Sequence, residues 1–173
     1  MDVFYALLLV LHIFGGIFWA GGSAVFVYFV SPAVARTAPE SSKFVANLTD
    51  KQKLSVWLSA GAGINVLAGL ILYWIDSRGL SASWFSAAYG LSLTVGAVAG
   101  LAAFVIGIAF TRPRAERAGA LGKEIQMGGK PPTPEQMAEM KKLGSELSFY
   151  GQLAVILLAI AILGMVLAHP LGF

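Results

Sequence analysis

Four apolar stretches, each long enough to cross a bilayer as a helix, constrain this chain more than any other feature. A hydrocarbon core about 30 Å thick takes roughly 20 residues at helical rise. The stretches run over about 3–30, 54–75, 84–111 and 147–168. The expected fold class is all-α, a four-transmembrane-helix bundle with a short cytoplasmic surface helix, forming a single integral membrane domain over 1–173. Composition agrees. Hydrophobic residues make up 57% and charged residues 12%, against about 25% charged in a soluble domain. Too few polar side chains remain to coat a water-soluble globule.

The ends of the stretches carry helix punctuation. Asp2 is placed to cap the first, and Pro32 stands beyond its expected end at Val30. Asp76-Ser77-Arg78-Gly79 closes the second, Arg112-Pro113-Arg114 the third and His169-Pro170 the fourth. Ala33-Val34-Ala35 resembles a signal-peptide cleavage site. The acidic Asp2 and an apolar run well beyond the usual 7–15 or so residues argue instead for a retained span.

Basic residues set the expected orientation. Arg36, Lys43, Lys51 and Lys53 lie in the loop 31–53, and Arg112, Arg114, Arg117, Lys123, Lys130, Lys141 and Lys142 in the loop 112–146. Arg78 alone lies on the other side, so eleven of the twelve Lys and Arg residues share one side. The positive-inside rule assigns that side to the cytoplasm and both termini to the outside. A prokaryotic inner or plasma membrane is the expected location. Aromatic residues at the stretch ends, among them Tyr5, Trp57, Trp74, Trp84 and Tyr150, suit the headgroup region.

Within the loop 112–146, Gly128-Gly129-Lys130-Pro131-Pro132 breaks the chain. Thr133-Pro134-Glu135-Gln136 then reads as a helix start, with Thr133 as cap and Gln136 reaching back. A short helix to about Leu143 is expected to lie on the membrane with Met137 and Met140 toward the apolar side, ended by Gly144. Both halves of the chain share one plan of span, basic loop, span.

Several chemistries are excluded or disfavoured. The chain has no cysteine, which removes disulfides, thiolate metal sites and cysteine nucleophiles. The net charge of +3 sits in loops, so nucleic acid is not an expected partner. No Asp, Glu, Lys or Arg lies well inside a span, which argues against ion-coupled transport. Met127, Met137, Met140 and Met165 are scattered, not clustered as a copper site would have them.

The polar side chains inside the spans are His12, Ser23, Ser59, Asn65, Ser92, Thr94 and Gln152. Asn65 and Gln152 read as interhelical hydrogen-bonding groups. His12 is the sharpest of the set. It lies about 13 Å below the start of the first span, on a helical face shared with Gly15, Gly16, Trp19, Gly22 and Ser23. Two readings of that face stand. A flat cofactor could lie against the glycines with His12 as an axial ligand of haem iron. Alternatively the glycines permit close helix packing, with His12 hydrogen-bonded to a neighbour such as Asn65. His169 reads as a helix-end residue. Small residues at Gly96, Gly100, Ala103 and Gly107, with Gly61, Gly63, Gly69 and Gly164 elsewhere, fit close packing in the bundle or in a homodimer.

Leu11-His12-Ile13 followed by Trp19-Ala20-Gly21-Gly22 resembles the first span of small membrane proteins of the HemJ-type and copper-resistance protein D-like group. The tail from Pro170 to Phe173 is similar as well. The resemblance implies haem or porphyrin handling, with His12 in the ligand position. This chain departs from the HemJ pattern in two places. Ser31-Pro32-Ala33 replaces a basic Pro-Arg element, and no charged residue stands between Phe85 and Phe110, where that type carries a lysine. The expected function is binding of haem b or a related porphyrin at His12, Gly15, Gly16, Trp19 and Gly22, for electron transfer or cofactor handling. The alternative is a non-catalytic accessory or structural subunit of a larger membrane complex. The expected partners are the lipid bilayer and either a second copy, as a homodimer, or a larger membrane complex.

Overall fold

A computed structural model describes residues 2–37, 44, 47–129 and 131–171. Lys43, Lys130 and the tail at Phe173 lie outside the described residues. All secondary structure among the described residues is helical. Four helices are long and apolar enough to cross a membrane: α1 (Val3–Arg36), α2 (Leu54–Asp76), α4 (Ala88–Met127) and α5 from Pro134. A short α3 (Ala82–Ser86) sits between α2 and α4, and α5 itself runs Pro134–Leu171. The start of α1 and the end of α5 lie at one end, called here the termini end; the end of α1 and the start of α2 lie at the opposite, basic end.

The helices pair as two antiparallel hairpins, α1 with α2 and α4 with α5. The hairpins meet where the second half of α1 touches α5 and where α2 touches α4. One residue from each spanning helix builds the centre: Trp19 of α1, Ala62 of α2, Ala103 of α4 and Leu158 of α5. Trp19 packs edge-to-face on Phe104, with ring centroids 6.1 Å apart at 87°. A single large ring against alanines lets four helices converge without a void.

The start of α1 follows the sequence, since Asp2 Oδ1 accepts the Phe4 N–H at 3.3 Å. Its end does not. The helix runs through Pro32 to Arg36, where a stop at Val30 was expected. A proline ring inside an α-helix clashes with the carbonyl four residues back and has no N–H to give. Here a π-turn over Phe26–Val30 comes first, with the Ser31 N–H reaching Phe26 O. That wider turn opens the ladder just where the ring must fit. α4 repeats the device: a π-turn over Gly107–Thr111, with the Arg112 N–H on Gly107 O, precedes Pro113.

The stretch expected as one span over 84–111 is two helices. Ala87 breaks them with an extended backbone, φ −87° and ψ 136°. Trp84 consequently sits in α3, buried edge-on between Tyr73 and Tyr89. The turn into α3 places Arg78, Gly79 and Leu80 at positive φ (51°, 71° and 64°). Fully buried Ser77 holds this left-handed run, its Oγ donating to Trp74 O and accepting the Leu80 N–H at 3.0 Å.

No separate surface helix forms from Thr133 to Leu143. The helix does begin there, with the reciprocal cap in place: the Gln136 N–H donates to Thr133 Oγ1 at 3.3 Å and the Thr133 N–H to Gln136 Oε1 at 3.0 Å. It then continues through Gly144 into the fourth span. A glycine inside a helix costs only about 1 kcal/mol, and ending the helix there would leave carbonyls unbonded. α4 likewise extends to Met127, so the two form an antiparallel stalk beyond the basic end. Cross-links hold it: Arg117 Nε to Glu139 at 2.7 Å, and Arg114 Nε to Glu146 at 2.6 Å. Met137 is exposed and Met140 half-buried on this helix.

Candidate functional site

The candidate site lies on the seam between α1 and α2, which is built from glycines facing side chains across the pair. Gly69 faces the His12 ring, Gly16 faces the Asn65 amide, Gly61 faces Phe18 and Gly22 faces Leu58. At Gly15 the two backbones themselves meet, since a Cβ there would lie 3.1 Å from Gly61 O and Asn65 N. Such close approach is what small residues permit in hydrocarbon.

His12 and Asn65 bind each other reciprocally. His12 Nδ1 is 2.8 Å from the backbone oxygen of Asn65, and Asn65 Nδ2 donates to the backbone oxygen of His12 at 2.6 Å. A carbonyl oxygen can only accept, so Nδ1 carries a proton, and in the neutral ring the lone pair is then on Nε2. The 3.2 Å approach of Asn65 Nδ2 to Nδ1 then joins two donors and is a contact, not a bond. Among the described residues Nε2 has no hydrogen-bond partner. A Cβ on Gly69 would lie 2.7 Å from His12 Cε1, so the ring has its place only because residue 69 is glycine.

The residues expected at the site divide into two groups. His12, Gly15, Gly16 and Gly22 share the seam, and α2 covers the three glycines. Trp19 belongs to the bundle centre, one turn further round. A flat ligand on His12 therefore has to approach the ring from a side other than the glycine face. His169, the other imidazole, stands exposed in the last turn of α5. Gln152, expected to bond between helices, donates instead to Ser148 Oγ of its own helix at 3.1 Å. Gly96 and Gly164 are consumed within the chain, at the crossing of α4 and α5.

A second polar cluster closes the termini end, unforeseen in the sequence. The Tyr5 hydroxyl reaches both oxygens of Asp76, at 3.0 and 3.2 Å. Trp84 Nε1 donates to Tyr73 Oη at 3.1 Å, which meets Thr94 Oγ1 at 2.6 Å, and Thr94 bonds onward to Gly90 O. These aromatic residues read as membrane-interface anchors; only the pairing of α1 with α2 and of α2 with α4 gives them polar partners. A hollow of about 440 Å³ between α4 and α5 is lined by Leu91, Val95, Ile160 and Leu163. Its lone hydroxyl, Ser92, is turned away to Gly164 O at 2.8 Å. It offers no polar group to a ligand.

Among the described residues no group of three or more His, Asp or Glu side chains is placed to hold a metal ion. What the seam can supply is one imidazole nitrogen, Nε2, on a ring whose Nδ1 is held to Asn65 O. Comparison with protein-family models, curated proteins and solved structures returns no match.

Proposed function

We propose that this chain is an integral membrane protein that binds haem b or a related porphyrin through Nε2 of His12. The supporting observation is the 2.8 Å contact of His12 Nδ1 with Asn65 O. Imidazoles that ligate a metal through one nitrogen usually donate the other N–H to a carbonyl or carboxylate, which fixes tautomer and orientation. When bound, haem supplies one-electron exchange at its iron. The chain's own residues act around it: His12 offers the lone pair, Asn65 orients the ring, and Gly69 gives it room. The positive-inside rule supports placing the stalk in the cytoplasm and both termini outside. The test is an absorption spectrum of the purified protein with and without added haem. A Soret band that His12→Ala abolishes is expected. A protein with no band under either condition overturns the reading.

A second reading is a non-catalytic accessory subunit, possessing no cofactor and packing against a larger membrane complex. The observation favouring it is that α2 fills the glycine face, while Asn65, Ser92, Thr94 and Gln152 find partners inside the chain. Native gels after mild detergent extraction test it: co-migration with a larger assembly is expected, and migration only as a monomer or a dimer overturns it.

A further inference from the structure

α4 and α5 meet backbone to backbone where Gly96 faces Gly164, and the outer side of that crossing is a groove. Its floor is Gly164 and Ser92, whose hydroxyl is spent on Gly164 O at 2.8 Å. Its walls are larger side chains that face away from the bundle, Leu91 and Val95 of α4 with Ile160 and Leu163 of α5. The glycine contact draws the two helices together and lowers the floor, while the branched neighbours keep their height. The hollow of about 440 Å³ follows from that step.

The surroundings decide what fills it. The groove lies within two of the four apolar spans, so hydrocarbon stands against it. A water molecule needs two to four or so polar partners to occupy a cavity, and the one side-chain hydroxyl in the lining is already bonded. An unfilled gap would leave the wall atoms without dispersion partners. Dimensions then separate the apolar occupants. The lining runs from Ala88 to Val95 on α4 and from Ile160 to Leu167 on α5, about 10 Å along each helix. That length fits inside one leaflet, about 15 Å of the hydrocarbon core. The volume spread over that length gives a mean section of about 40 Å². A helix with its side chains is about 10–12 Å across and needs a section of about 80–110 Å². A second copy of the chain is too wide to enter; a methylene chain, which carries no side chains, is not.

We propose that this groove is a lipid site that seats one acyl chain of a phospholipid in the leaflet at the termini end, with Ala88 and Leu167 at its mouth. Lipid tails are as apolar as leucine, so the hydrophobic effect does not hold the chain there. Dispersion against the walls does, and retention therefore depends on the shape of the groove.

The test counts lipids. Protein reconstituted into dioleoylphosphatidylcholine vesicles is re-extracted in mild detergent, and the lipid retained is read by native mass spectrometry. Ala88→Phe with Val95→Phe fills the groove from two exposed positions and should lose one bound lipid. Leu91→Ala with Leu163→Ala lowers both walls without filling the floor and should lose the same lipid. Val166→Phe adds the same bulk at an exposed position of α5 outside the groove and should retain it. Equal lipid counts in all four proteins overturn the proposal. A dimer without retained lipid, which the filled variant breaks into monomers, also overturns it and gives the groove to a second copy.

Discussion

Replacing Gly164 by alanine tests the packing logic of the whole bundle. A Cβ at Gly164 would lie 2.9 Å from Gly96 Cα, 2.9 Å from Gly96 N and 2.9 Å from Ser92 O. All three are backbone atoms, so no side chain can rotate out of the way. Overfilling a packed contact costs typically 1–3 kcal/mol, and backbone obstruction puts this site in the upper part of that range. Alanine returns about 1 kcal/mol of helix propensity over glycine. The net is a loss of about 1–2 kcal/mol on those two figures. Gly63→Ala is the matched control, because nothing lies within 4 Å of its added Cβ. It should gain up to about 1 kcal/mol. The two variants should therefore differ by about 2–3 kcal/mol in reversible unfolding by SDS titration from detergent micelles, followed by helical ellipticity. Equal stability of the two would refute the claim that α4 and α5 meet backbone to backbone.

Further outcomes follow from the same geometry. Asn65→Leu removes the amide that donates to His12 O and leaves that oxygen without its interhelical donor; a loss of about 0.6–1.7 kcal/mol in the same titration is expected. Ser77→Ala should cost about 1–3 kcal/mol by freeing the Leu80 N–H inside a buried turn, whereas Leu80→Gly, at φ 64°, should stabilise the fold against thermal unfolding by roughly 0.5–1 kcal/mol. In the stalk, the Arg117 hydrogen bond holds the Glu139 carboxyl below the usual carboxylate range. A depressed carboxyl contributes stability above its unfolded value and loses it as pH falls through the folded value. Stalk amides should thus lose protection against deuterium exchange, taken relative to the intrinsic exchange rate at each pH, on acidification, and Glu139→Gln should remove that part of the pH dependence; an unchanged protection profile would count against the pairing.

The sequence by itself determined the class of fold, because hydrocarbon admits few solutions for apolar stretches of this length. It also determined local features that depend on neighbours in the chain: the Asp2 cap, the Thr133–Gln136 capping pair, and the common face of His12, Gly15, Gly16 and Gly22. Where helices end was less legible. Pro32, Pro113 and Gly144 are stop signals, yet π-turns accommodate the prolines and cross-stalk ion pairs accompany the continuous helix at Gly144. Only the tertiary structure decided what the glycine face meets. Spacing along one helix shows which residues share a side; the register of the antiparallel partner, set by contacts tens of residues apart, determines whether that side stays open. Here α2 brings Asn65 and Gly69 onto His12, and with them the imidazole has Nδ1 held to Asn65 O and loses its glycine cradle.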